Sequence, residues 1–79
     1  MESSLKVAFG KVLKQLRSTK GVSQQELADN CDIERAYISR LERGLFQPSI
    51  TIVFKIAEYF EIKPSELIDK VDFQRKKRK

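Results

Sequence analysis

The 79-residue sequence predicts an all-α domain built from five short helices. Apolar residues recur at intervals of three and four along most of the chain, which is the spacing of a helix with one buried face. No segment alternates apolar and polar residues in the manner of a half-buried strand. Serine, proline and glycine residues stand where the helical patterns begin and end, as they do at helix boundaries.

The first helix is predicted over about residues 4–18. Its apolar face consists of five residues with helical spacing: Leu5, Phe9, Val12, Leu13 and Leu16. Gly21 follows this pattern, and a glycine commonly ends a helix because it adopts left-handed backbone without steric strain.

The second and third helices are predicted to lie close together in the chain. Ser23 begins the second helix, and Glu26 completes a capping box in which each side chain bonds the other residue's backbone N–H. Residues 32–34 form a short turn. The third helix is predicted over about residues 35–43.

The fourth helix is predicted over residues 50–60, with Ser49 as its cap. Pro64 suits the first turn of a fifth helix, because the N–H that proline lacks would have no partner there. The folded domain is predicted to span residues 4–69. Residues 70–79 are predicted to form a basic, disordered tail, because the apolar period fades and the charge rises.

The net charge of +5 is concentrated at the C-terminal end. Residues 75–79 are all basic, and without these five of the sixteen basic residues the remaining eleven equal the eleven acidic ones. Residues 1–74 are therefore neutral as a whole, and any binding of a polyanion there depends on the local placement of positive groups. The tail itself is either an arm that neutralises DNA phosphates or a solubilising end.

The residue inventory argues against an enzyme and against a metal protein. The chain has no histidine, no paired nucleophile and base, and no glycine-rich phosphate loop, so we expect no catalytic residues. Cys31 is the only cysteine, so we expect a small core residue, with no internal disulfide, no metal site and no cofactor. We expect neither a secretory leader nor a membrane span, and we predict a cytoplasmic location.

Residues 23–44 predict a helix-turn-helix. Two helices joined by so short a turn must cross steeply, and this crossing presents the second helix to the major groove of DNA. Ile38 and Leu41 face inward on that helix. Arginine can donate two hydrogen bonds to guanine, serine can bond several base edges, and alanine permits close approach to a thymine methyl. The outer and first-turn residues that would carry this chemistry are Arg35, Ala36, Tyr37, Ser39, Arg40 and Arg43.

Four short segments carry a family resemblance. They read Val-Ser-Gln-Gln-Glu-Leu-Ala at 22–28, Ile-Ser-Arg-Leu-Glu-Arg-Gly at 38–44, Pro-Ser at 48–49 and Ile-Ala at 56–57. Their order and spacing resemble the signature of the phage repressor and Cro (xenobiotic-response-element) helix-turn-helix family over about residues 9–68. The resemblance implies a lambda repressor-like domain of five helices that is usually dimeric on DNA.

The resemblance also implies roles for individual residues. The expected base-reading residues are Arg35, Ala36, Tyr37, Ser39 and Arg40. The expected contacts to the DNA backbone are Ser23, Gln24, Arg43 and Gln47. The expected structural ion pair is Arg17 and Glu42. For Tyr37, packing over the turn is the alternative.

A narrower resemblance concerns residues 34–44. Glu-Arg-Ala-Tyr-Ile-Ser, with the Leu-Glu-Arg-Gly that ends the segment, is similar to the recognition segment of restriction–modification controller proteins, which regulate their own gene and that of an endonuclease. Two alternatives stay open. One is an antitoxin-type regulator that binds both DNA and a toxin protein through residues such as Ile52, Phe54 and Tyr59. The other is a protein-interaction domain that does not read DNA sequence.

The fourth helix carries more apolar residues than its core face needs. The surplus consists of Ile50, Ile52, Phe54 and Tyr59. Several surplus apolar residues on one helix indicate an interface, so we expect a homodimer joined through the fourth and fifth helices. The predicted function is a sequence-specific transcriptional regulator of a bacterium or phage, associated with the nucleoid. It would read a palindromic operator with half-sites about 34–36 Å apart, and it would repress by occupying a promoter or activate by contacting RNA polymerase.

Overall fold

The computed structural model describes residues 4–77, which form five α-helices joined by turns of three to seven residues. The helices are α1 (Leu5–Lys20), α2 (Gln24–Cys31), α3 (Arg35–Glu42), α4 (Ile50–Tyr59) and α5 (Pro64–Lys76). No strand occurs within this described range, and the predicted all-α class is confirmed. None of these helices is both long enough and apolar enough to cross a membrane.

Serine side chains begin three of the five helices. Ser4 and Ser49 each accept a hydrogen bond from the backbone N–H three residues later, at 3.3 and 3.2 Å. At α2, the Ser23 hydroxyl accepts from the Glu26 N–H at 3.0 Å, which is the serine half of the predicted capping box. Each of these bonds satisfies a backbone donor that has no partner within its own helix.

The turn between α2 and α3 depends on a left-handed residue. Asp32 ends α2 with φ 57° and ψ 48°. Aspartate tolerates this region better than most residues with a side chain, because its short polar group can bond locally. The Ile33 N–H reaches back to the Ala28 carbonyl at 2.9 Å. The chain therefore reverses within three residues, and α3 begins at Arg35.

Every helix contributes at least one large, fully buried side chain to a single core. These residues are Leu13, Leu27, Ile38, Leu41, Ile56 and Leu67. Burial of such a side chain contributes about 1.5–3 kcal/mol, so the shared contacts fix how the helices sit against one another. The predicted core residue Leu5 is instead 51% exposed, because the first residue of α1 lies at the edge of a cleft and not over the core.

Gly10 allows α1 to approach the end of α3 closely. A Cβ atom at this position would lie 2.5 Å from the Leu41 carbonyl oxygen and 2.8 Å from that of Glu42. Backbone atoms cannot give way to such a contact, so the close approach of the two helices requires glycine here. This contact holds the C-terminal end of α3 against the middle of α1.

α5 is longer than the sequence predicted. Val71 is only 6% exposed and extends the buried face of the helix one turn beyond Leu67. Asp72 accepts a hydrogen bond from Arg75 Nε at 3.1 Å, which supports the last turn. The prediction of a disordered tail over residues 70–79 is therefore wrong as far as residue 76. The last two residues of the tail lie outside the described residues.

Candidate nucleic-acid interface

α3 has one face in the core and one face toward solvent. Ile38 and Leu41 are fully buried and hold the helix against its neighbours. Four of the five residues expected to read bases are exposed or half-buried on the other side: Arg35, Ala36 and Arg40 are exposed, and Ser39 is half-buried. We call these four residues the recognition face. Its two guanidinium groups lie outside the core, and each has several N–H groups that can donate to another molecule.

Tyr37, the fifth expected base-reading residue, packs against the protein itself. Its ring centroid lies 4.9 Å from that of Phe46, with the two rings tilted by 44°. Such a pair contributes about 0.5–1.5 kcal/mol beyond the burial of area. The ring is half-buried against the core, which favours the packing interpretation. A contact between Tyr37 and a base stays a prediction.

An ion pair joins α1 to the end of α3. Arg17 Nε donates to Glu42 Oε2 at 2.6 Å, and Arg17 Nη2 donates to Glu42 Oε1 at 2.9 Å. Arg17 Nη1 donates to the Val22 carbonyl at 2.9 Å. The Glu42 side chain is 4% exposed and that of Arg17 is 17% exposed. These are the two residues that the family resemblance pairs, and their bidentate geometry fixes α3 relative to α1.

The surroundings of this pair keep both partners charged. Burial alone would raise the pKa of Glu42, but hydrogen bonds from Arg17 and Gln24 and the positive charges of Arg17 and Lys14 lower it by more. The hydrogen bond to Glu42 raises the pKa of Arg17. The pair therefore persists at neutral pH and weakens only in acid.

Gln24 connects this ion pair to the recognition face. Its Nε2 donates to Glu42 Oε1 at 3.0 Å, while its Oε1 accepts from Arg35 Nη1 at 3.0 Å. The bond to Glu42 turns the amide oxygen of Gln24 toward Arg35. Sequence reasoning assigned Gln24 to DNA phosphate and missed this contact. Helical periodicity carries no signal for it, because Gln24 lies on α2 and both of its partners lie on α3.

The residues expected to contact the DNA backbone lie before α3 and after it, and Gln47 lines a cleft with Leu5 and Val53. Arg43 follows the last residue of α3 and is exposed, as is Gln47 in the loop before α4. Gln24 is the first residue of α2, where backbone N–H groups without helical partners favour an anion. The Ser23 hydroxyl is already engaged as the cap of α2. Contacts from these four residues to phosphate stay predictions.

The four surplus apolar residues of α4 do not form one surface. Ile50 and Phe54 are 68% and 55% exposed, and a spacing of four residues puts them on the same side of the helix. Ile52 and Tyr59 are half-buried and pack against the core. At about 100° per residue they lie on the opposite flank of the buried stripe. Of the four residues expected at the dimer interface, Ile50 and Phe54 therefore share an exposed face of α4, whereas Ile52 and Tyr59 do not.

Cys31 has the environment of a core residue. It is 4% exposed, and its Sγ lies 3.8 Å from the Lys55 carbonyl oxygen. Burial raises the pKa of the thiol, which opposes formation of the reactive thiolate. In the part of the chain that the structure describes, no three histidine, cysteine, aspartate or glutamate residues come together as a metal site would require.

Residues 13–67 match the helix-turn-helix family. The chain is 36% identical over 70 residues to the control protein C.BamHI of Bacillus amyloliquefaciens, and the match covers 87% of this chain and 86% of that protein. The family match includes all of α2, α3 and α4, and so contains the whole recognition face.

Two solved structures of restriction–modification controller proteins have the same fold. C.AhdI from Aeromonas hydrophila superposes with a TM-score of 0.75 at 39% identity, over 78% of this chain and 94% of that one. C.Esp1396I superposes with a TM-score of 0.85 at 27% identity, over 99% of this chain and 100% of that one. The same controller in its nucleoprotein complex gives a TM-score of 0.84.

Proposed function

The chain belongs to the helix-turn-helix family of DNA-binding transcriptional regulators, and we propose that it binds a palindromic operator as a homodimer and controls a restriction–modification operon. The observation that carries this proposal is the recognition face of α3. It presents Arg35 and Arg40 to solvent on a helix that two other helices hold in place.

The chemistry of the recognition face suits the edges of base pairs. An arginine that donates two hydrogen bonds to guanine O6 and N7 contributes about 1–3 kcal/mol of discrimination against the wrong base. Ala36 and Ser39 lie between the two arginines along the helix, and their small side chains allow the edges of the base pairs to approach the helix closely. Arg43, directly after the last residue of α3, would contact phosphate and set the register of the helix, with Gln47 as a further candidate.

Homodimer formation has support from the exposed apolar side chains of α4. Ile50 and Phe54 lie beside Val53, and Val53 lines a cleft that it shares with Leu5 and Ile68. Both of the latter residues are also about half exposed, at 51% and 48%. Contiguous apolar surface of this kind on a small protein marks an interface. A second copy of the chain is the occupant that a palindromic operator requires.

The relatives favour a controller over an antitoxin. The proteins named C.BamHI, C.AhdI and C.Esp1396I are control or controller proteins, and they match most of this chain's length. An antitoxin surface made of Ile52, Phe54 and Tyr59 has less support, because two of these residues pack on the chain's own core. Co-purification of a second small protein bound to this chain would reverse that preference.

The proposal extends to how and where the regulator acts. It would act by occupancy of DNA in the cytoplasm and would carry no catalytic activity. An operator that overlaps a promoter leads to repression, and an operator beside a promoter places the regulator next to RNA polymerase. Both arrangements use the same recognition face.

The test is selection of bound sequences from a random duplex pool, carried out with the wild type, with Arg35→Ala and with Arg40→Ala. We expect the wild type to recover a two-fold symmetric motif with half-sites one turn of DNA apart. Each arginine variant should lose base preference at one defined position of each half-site. Lys55→Ala, which removes a charge from α4, serves as the matched control and should recover the wild-type motif.

Recovery of no motif, with residual binding that disappears as salt rises, would overturn the proposed function. The operon is tested separately, by a reporter under a promoter that contains the selected motif upstream of restriction and modification genes. Reporter output that does not respond to the regulator would remove the controller assignment and leave the DNA-binding function in place.

A further inference from the structure

The neutral body of the protein has strongly separated charges. α1 carries five basic residues and no acidic one: Lys6, Lys11, Lys14, Arg17 and Lys20. Residues 21–34 carry four acidic residues and no basic one: Glu26, Asp29, Asp32 and Glu34. A zero net charge in residues 1–74 therefore conceals one basic segment and one acidic segment. Local fields of this kind attract or repel a polyanion regardless of the total charge.

Four lysines border two neighbouring depressions on α1 and α5. Lys11, Lys14 and Gln15 line a shallow depression on the outer side of α1. Gln15 also lines a neighbouring groove of about 340 Å³ between α1 and α5, together with Lys70 and Lys77. All four lysines are exposed. We call Lys11, Lys14, Lys70 and Lys77 the α1–α5 basic surface.

The four lysines have no ion-pair partner within residues 4–77. Arg17, by contrast, lies on the inner side of α1 and is already paired with Glu42. Gln15, Ser18 and Thr19 stand between the lysines and offer further hydrogen-bond donors. Lysine ammonium groups alternating with hydroxyl and amide donors are the side chains that contact phosphate and sugar in protein–DNA complexes.

One end of this surface lies near the C-terminal end of α3. Gly10 packs against the last carbonyl groups of α3, so Lys11 and Lys14 lie beside the C-terminal end of that helix. The positive charge of Lys14 helps to lower the pKa of Glu42, the last residue of α3. Duplex DNA that extends past the C-terminal end of α3 would therefore pass near Lys14. Lys70 and Lys77 continue the positive surface away from it.

We propose that the α1–α5 basic surface binds the phosphates of duplex DNA that flanks the half-site read by α3. The proposal rests on the proposed function, because it requires a duplex that is already held on α3. Double-stranded DNA carries about one negative charge per 1.7 Å of axis, so a short flanking segment offers a phosphate to each lysine. The contacts add affinity that depends on salt and on duplex length but not on flanking sequence.

The experiment compares three DNA molecules that contain the same selected operator. The first ends at the operator, the second adds about one helical turn of duplex to each side, and the third adds single strands of the same length. Dissociation constants are measured for each DNA over a range of salt concentrations. We expect the wild type to bind the duplex-extended operator more tightly, with a salt slope steeper by about 0.9 for each lysine that contacts a phosphate.

Two double variants probe the two ends of the surface. Lys11→Gln with Lys14→Gln, and Lys70→Gln with Lys77→Gln, should each reduce the ratio between the affinities for extended and minimal operators. Lys55→Gln with Lys63→Gln removes the same charge from α4 and the turn before α5, and it should keep the wild-type ratio. All three proteins should retain the wild-type sequence preference.

The outcomes separate this inference from the proposed function. Failure of the wild type to prefer the minimal operator over random duplex overturns the proposed function. Specific binding with no gain from duplex extensions overturns only the present proposal. It is also overturned if the single-stranded extensions give the same gain, or if the control pair lowers the ratio as much as the test pairs.

Discussion

Gln24 and Glu42 are joined by a hydrogen bond of 3.0 Å from the glutamine Nε2 to the carboxylate Oε1. Glu42 is held in turn by Arg17, and Gln24 holds Arg35 through its amide oxygen. Four side chains from α1, α2 and α3 thus form one chain of polar contacts. The Arg17–Glu42 ion pair, which fixes the end of α3, is therefore connected through Gln24 to Arg35 at the start of the same helix.

Glu42→Ala should destabilise the fold by roughly 3 kcal/mol, because it leaves the largely buried guanidinium of Arg17 without its carboxylate. The free energy of unfolding is measured by urea denaturation. Glu58→Ala, at an exposed position of α4, is the control and should change stability by less than about 0.5 kcal/mol. Equal effects of the two substitutions would show that the Arg17–Glu42 pair adds little to stability.

The same carboxylate predicts a loss of stability in acid. The pKa of Glu42 is lowered in the folded protein from its ordinary value of 4.5, so the unfolded chain binds a proton more readily than the folded one. The stabilisation is complete well above pH 4.5 and is lost as the pH falls below that value through the folded pKa.

Urea unfolding between pH 7 and pH 3 checks this prediction with Glu42→Gln as the comparison. That variant keeps the shape of the side chain but cannot titrate, so its stability should fall less steeply below pH 4.5 than that of the wild type. Parallel curves for the two proteins would contradict the assignment of the acid sensitivity to Glu42.

Gln24→Ala should relax base preference at the half-site position that Arg35 reads. The substitution removes the oxygen that accepts from Arg35 Nη1 and leaves the guanidinium free to rotate. A residue that contacts phosphate alone would instead weaken binding to all sequences alike. The measurement is a set of dissociation constants for operators with single substitutions. Gln25→Ala, at the exposed neighbouring position, is the control; a uniform loss with Gln24→Ala would favour the phosphate role.

Local signals in the sequence predicted the helix-turn-helix well. The cap at Ser23 and the buried positions Ile38 and Leu41 follow from rules that operate within one or two turns of a helix. The link from Gln24 to Glu42 and Arg35 was not predictable in this way. It joins residues up to eighteen positions apart, and its geometry depends on how α2 and α3 cross.

Sequence periodicity did not predict two features of the second half of the chain: the length of α5 and the exposure of the individual apolar residues of α4. Val71 is a single apolar residue among charges, and its burial depends on α1 lying against it, so periodicity alone did not extend α5. Apolar content identified α4 as a helix with surplus residues but did not tell Ile50 and Phe54 from Ile52 and Tyr59. That distinction needs the positions of α2 and of the turn that follows it, which lie beside Ile52 and Tyr59.

Phe54→Asp should convert the proposed dimer to a monomer and weaken operator binding. Phe54 is 55% exposed beside Ile50, so an aspartate there leaves the core intact but places a charge in the interface between copies. Sedimentation velocity at micromolar protein gives the oligomeric state, and binding to full and half operators gives the effect on DNA. Gln25→Asp, which places the same charge at an exposed position of α2, should remain dimeric. If Phe54→Asp also remains dimeric, the interface lies elsewhere. If Phe54→Asp binds the full operator no better than a half operator, cooperative binding to DNA depends on the face of α4 that carries Phe54.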